Sequence, residues 1–143
     1  MKQTRKPGAG ARALSALTAL AALLAAAPAA SAATVEPAIP RGAMFSSWRD
    51  NGAGGNYVLQ LVQGHALARG TTLHGVVTSD LTCTPDEQGL SHCHNGIDLA
   101  DGTHITVVDN HAMSIHPCLK PGEQIVVSGL NSTWVKGVVA DRQ

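Results

Sequence analysis

From Thr72 onward, apolar and polar side chains alternate in short runs separated by turn-forming residues. A period of two places every second side chain on one face of an extended chain, so each run reads as a half-buried strand. Five such runs succeed one another: TLHGVVTS (72–79), NGIDLA (95–100), THITVVD (103–109), EQIVVSG (123–129) and TWVKGVVA (133–140). Asp101-Gly102 between the second and third is a hairpin signal, and Pro121-Gly122 and Asn131-Ser132 mark further turns. Gly75 and Gly137, inside the first and last runs, predict a bulge or bend. Residues 110–119 lose the alternation, and Pro117 excludes a regular helix there, so a short turn or single helical turn is expected between the third and fourth strands.

Upstream, YVLQLVQ (57–63) is apolar on both parities, which fits a strand or a helix capped by Asn56. The strand is the favoured reading. Residues 33–55 carry Pro37, Pro40, Gly42 and the NGAGGN run, and read as a flexible linker, with Met44–Trp48 apolar enough to dock on the domain. The pattern predicts an all-β fold. It is a small five-stranded antiparallel barrel, closed or partly open, of the oligonucleotide/oligosaccharide-binding (OB) type, over residues 56–143. A small sandwich is the rival architecture.

The first 32 residues stand apart. Lys2, Arg5, Lys6 and Arg12 precede an Ala/Leu-rich run, and Ala30-Ser31-Ala32 offers a cleavage site before Ala33. Residues 1–32 are therefore expected to be a signal peptide, giving a secreted or periplasmic protein with no membrane span after cleavage. Four cationic residues leave with it. Six basic residues then face ten acidic ones, a net charge of −4 with neutral histidine. That balance argues against nucleic acid as a partner, because phosphate binding depends on Lys and Arg clusters.

Only four aromatic residues remain, Phe45, Trp48, Tyr57 and Trp134, so the core must come from Val, Leu and Ile. A domain this small gains from a crosslink. Three cysteines in an exported chain imply one disulfide and one thiol. Cys83 and Cys93 flank a turn-like segment and are the favoured pair. Cys118 is then free or bonded to an outside partner; a Cys93–Cys118 pair remains an alternative.

The chemistry is concentrated in Ser91–Cys118, which holds five of the seven histidines and two of the three cysteines. In extended chain His92 and His94 share a face opposite Cys93. His111 and Met113 form a second such pair, and His116 and Cys118 a third, held extended by Pro117. Imidazole, thioether and thiolate together suit copper, above all Cu(I), with zinc second. The expected ligands are His92, His94, His111, Met113 and His116, with Cys118 when reduced. This reading requires residues 92–94 and 111–118 to meet in one pocket. It implies an exported metal-handling protein, for sequestration, delivery or tolerance, with the ion and another envelope protein as partners.

The rival is an envelope module without metal, binding sugar, peptide or protein through Trp48 and Trp134. His65, His74 and His104 read as surface residues, and Met113 alone as packing. No catalytic function is expected. A thiol nucleophile at Cys118 with His116 and Asp109 fails because i, i+2 neighbours rarely reach hydrogen-bonding geometry. Asp98 and Asp101 make no acid/base pair, since Asp101 is explained by its turn. His111 and His116 fit the H-x₃₋₅-H half of a zinc-finger spacing, but its C-x₂₋₄-C half is absent, as are nucleophile-elbow and phosphate-loop motifs.

Overall fold

The computed structural model describes residues 36–142; the expected signal peptide lies outside the described residues. Six strands form a closed antiparallel barrel: β1 (Asn56–Gln63), β2 (Thr72–Leu81), β3 (Ser91–Leu99), β4 (His104–His111), β5 (Gln124–Gly129) and β6 (Trp134–Val138). Around the barrel the order is β1-β4-β3-β2-β5-β6. The only helical elements among the described residues are three-residue 3₁₀ turns, Trp48–Asp50, Ala53–Gly55 and Ala140–Arg142.

The all-β barrel is as expected, with six strands in place of five. The extra one is β1. It runs antiparallel to both β4 and β6. Those two strands are therefore parallel to each other, and without β1 they would face across a gap. Inserting β1 closes the ladder and leaves no free edge in the barrel. The insert between β4 and β5 is a turn rather than a helix, anchored by the Ile115 and His116 N–H groups donating to Ala112 O (2.9 and 3.0 Å).

Two apolar clusters arise from strand parity. Inside the barrel lie Tyr57, Leu59, Val77, Ile97, Leu99, Ile105, Val107, Ile125, Val127 and Val135, joined by Leu119 from the segment after Cys118. Outside it, Val58, Leu90, Ala112 and Trp134 pack with Trp48. The segment expected as a flexible linker thus supplies a core residue. Trp48 stacks on Trp134 at 5.4 Å between ring centroids, and its indole N–H donates to Pro37 O (2.7 Å). This double covering explains why YVLQLVQ is apolar on both parities. Tyr57 and Leu59 fill the barrel, while Val58 is roofed by the N-terminal segment.

The register irregularities fall at Leu61/Gln63 and Val77/Ser79, not at the glycines. Gly75 and Gly137 serve a different purpose. A Cβ on Gly75 would sit 2.9 Å from Ile97 Cγ2 and 3.0 Å from Asp98 O, and one on Gly137 would sit 2.7 Å from Ile125 Cδ1. Both leave room for neighbouring side chains in a narrow interior.

Candidate sulfur site

β3 extends further toward its N-terminus than alternation alone indicated, and His92-Cys93-His94 lies within it. Cys93, Asn95 and Ile97 are buried, whereas His94 is exposed and His92 half-buried. β4 likewise runs on past its expected end at Asp109 as far as His111. Asp109 pairs in register with Cys93, and His111 with Ser91. One end of the barrel is therefore lined by polar groups where the hydrophobic alternation would have stopped.

Cys83, in the loop after β2, forms the expected disulfide with Cys93 (Cα–Cα 4.4 Å). Cys118, in the loop before β5, is a half-buried free thiol. The three sulfurs all lie within 4.8 Å of one another. Among the described residues this is the one group of three or more His, Cys, Asp or Glu donors gathered so closely.

Acidic side chains surround it. Asp80 Oδ1 lies 2.9 Å from Cys83 Sγ and accepts from Asn95 Nδ2 at 3.0 Å. Burial pushes the Cys118 thiol pKa up, and the charges of Asp80 and Asp109 push it the same way against Arg142. Burial also raises the Asp109 pKa, partly offset by His111. For His111 burial acts downward, but the hydrogen bonding and charge of Asp109 outweigh it and the net shift is upward. His111 Nδ1 lies 3.1 Å from Asp109 Oδ2, with both side chains fully buried. Asn51 Nδ2 ties Asp109 Oδ1 (3.0 Å) to the backbone of Val58 and Asn110.

Arg142 fixes the loop that carries Cys118. Its Nη2 donates to Cys118 O (2.7 Å) and Glu123 Oε2 (2.6 Å), and Nη1 donates to Pro117 O (3.2 Å) and Tyr57 Oη. Tyr57 in turn donates to Pro117 O at 2.8 Å. Its pKa is pushed up to about 12, by burial first, against the opposing charge of Arg142.

The expected histidine ligands do not converge. Both ring nitrogens of His92 are engaged, Nδ1 with Asn110 Oδ1 (2.6 Å) and Nε2 with Asp86 Oδ2 (3.2 Å). His94 is exposed, while His111 is fully buried on the inward parity of β4, so the barrel wall separates it from the outward pair. Met113 is 42% exposed and His116 half-buried in the turn. Of the expected ligands only Cys118 joins the close group, and Cys83 and Cys93, expected to serve as a crosslink alone, complete it.

Trp48 is buried and Trp134 is only 9% exposed beneath it, which weakens the reading of the two as surface contacts. His104 pairs with Asp98 across the outer face at 2.6 Å, and Asp101 accepts from the Thr103 N–H within its turn (3.0 Å). No helix among the described residues is long and apolar enough to cross a membrane. The chain matches no protein-family description, no curated protein and no solved structure.

Proposed function

We propose that this is an exported soft-metal-binding protein, copper(I) first and zinc second, whose centre is the sulfur triad Cys83, Cys93 and Cys118 in its fully reduced form. The observation that carries the reading is the approach of three sulfurs to within 4.8 Å of one another. Zn–S bonds of about 2.3 Å set tetrahedral sulfurs about 3.8 Å apart, so a chelating arrangement needs the reduced Cys83 and Cys93 sulfurs to separate by a bond length or less while Cys118 stays within its present reach. Thiolates select Cu(I) and zinc over hard cations. The carboxylates of Asp80 and Asp109, both felt at Cys118, favour a cation there. Loading requires the Cys83–Cys93 disulfide to accept two electrons and two protons from an external dithiol, which gives an envelope thiol protein a place as partner. The signal-like N-terminus and the disulfide support a secreted or periplasmic location.

The test is anaerobic titration of the reduced mature chain with Cu(I) and Zn(II) against a competing chelator. Changing the three cysteines to serine should abolish tight binding, while His94→Ala with His116→Ala should leave it within a few-fold of the parent. Loss of binding in the histidine variant would return the site to the imidazoles. Absence of tight binding in the reduced parent chain would end the metal reading altogether.

A further inference from the structure

A thiol held beside a disulfide is a reactant, whether or not metal ever binds. Cys118 lies within 4.8 Å of both sulfurs of the Cys83–Cys93 bond. The two ends of that bond differ as leaving groups. Cys93 is fully buried, so negative charge on its sulfur would be desolvated. Cys83 is half-buried at the mouth of a surface loop, with Asp80 Oδ1 2.9 Å away as an acceptor for an S–H. The chain on the Cys83 side is also strained. Thr82, a β-branched residue next to Cys83, has φ +61°, the left-handed region, and is the one non-glycine residue there among the described residues. Beyond the loop mouth the chain is fixed again, since the Asp86 N–H donates to Leu90 O (2.8 Å) and Leu90 is buried. Movement on release is thereby confined to the few residues around Cys83.

We propose that Cys118 is the attacking thiol of an internal thiol–disulfide exchange that moves the crosslink from Cys83–Cys93 to Cys93–Cys118 and leaves Cys83 as the thiol. The Cys118 thiol gives its proton to solvent and its thiolate forms a bond to Cys93 Sγ. The Cys83–Cys93 bond breaks, its electron pair passes to Cys83 Sγ, and that sulfur takes up a proton. One disulfide and one thiol are present before and after, so no oxidant or reductant is consumed. Thr82 is free to return to an ordinary backbone conformation once Cys83 is released. The product presents its thiol on a surface loop, where a partner protein's dithiol or disulfide can reach it. The original arrangement holds its thiol under the Arg142 clamp.

The experiment uses the oxidised mature chain in chelator-containing, metal-free buffer. After incubation at pH 8 for increasing times, free thiol is trapped with N-ethylmaleimide at pH 6.5 and the modified cysteine located by peptide mass mapping. The expected result is label shared between Cys118 and Cys83, with the Cys83 share rising to a plateau and none on Cys93. Cys118→Ser should carry no label at any time, and Cys83→Ser should close a Cys93–Cys118 disulfide and show no free thiol. Label confined to Cys118 at all times, label on Cys93, or two persistent thiols in oxidised Cys83→Ser would each overturn the proposal. Because metal is excluded, failure here leaves the metal reading standing, and failure of the metal titration leaves the exchange standing.

Discussion

Asp109 and His111 illustrate how a single pair can tie stability to pH. Both point into the barrel, 3.1 Å apart, and both have folded-state pKa values above their ordinary ones. The raised value has the same consequence for the acid and the base: the folded chain holds protons that the unfolded chain releases. Stability is therefore full at low pH and declines as pH rises past the unfolded values, about 4 for the carboxyl and about 6.5 for the imidazole, up to the raised folded ones. Asp109→Asn removes one titration and the partner that raises the other. The expected outcome is a thermal midpoint that falls between pH 5 and 8 in the parent and falls less steeply in the variant, read by circular dichroism melts. An equally steep decline in Asp109→Asn would place the pH dependence elsewhere. At Cys118 the raised thiol pKa makes a separate statement. Its alkylation by iodoacetamide at pH 8, read on the Cys118 peptide alone, should run several-fold slower than that of a free thiol, and should recover on unfolding in urea; a rate equal to free thiol at Cys118 in the native chain would contradict the burial.

At the level of strands, the two interior glycines differ in what a methyl group would meet. Gly137 faces Ile125 Cδ1, the far end of a flexible side chain, at 2.7 Å. Gly75 faces Ile97 Cγ2 at 2.9 Å together with the Asp98 carbonyl at 3.0 Å, and a backbone oxygen in a ladder cannot swing aside. Overpacking of this kind costs about 1–3 kcal/mol. Gly75→Ala should fall near the upper end of that range and Gly137→Ala near the lower, measured by urea denaturation; the reverse order would show that the ladder yields more readily than the Ile125 side chain. The same strands show what alternation can and cannot reveal. The later runs were legible because one face is apolar and the turns between them are chemically marked. The ends of β3 and β4 were not, because Ser91, Cys93 and His111 put polar atoms on the inward parity just beyond the runs that were read. Alternation therefore reads as finished at the very place where the candidate site begins. The Cys83–Cys93 pair was legible from its short spacing across a turn. The approach of Cys118 was not, since it depends on closing the barrel and on Arg142 drawing down the 117–118 backbone, contacts between distant parts of the sequence.

Across the described residues, the barrel wall is covered on one side by the segment that precedes β1. The outer cluster depends on Trp48, which is buried, stacks on Trp134 and hydrogen-bonds to Pro37 O. Three residues on, Asn51 binds Val58, Asp109 and Asn110, so the same segment reaches the polar end of the barrel near the sulfurs. If the segment were a mere linker, truncating Trp48 would be nearly silent. As part of the core, Trp48→Ala should cost about 3–5 kcal/mol, the usual range for removing a buried Trp. Against a total of about 5–15 kcal/mol for a domain, that is a large share. The loss should appear as a lower urea midpoint in one cooperative transition, monitored both by Trp134 fluorescence and by far-ultraviolet circular dichroism. The two probes should coincide, because covering and barrel share Val58 and the β1 strand that closes the ladder. A cost below about 1 kcal/mol, or fluorescence changing well before the β signal, would mean that the segment folds onto an already complete barrel. Coincident loss instead makes residues 48–58 one structural unit with the strand that converts five staves into a closed six.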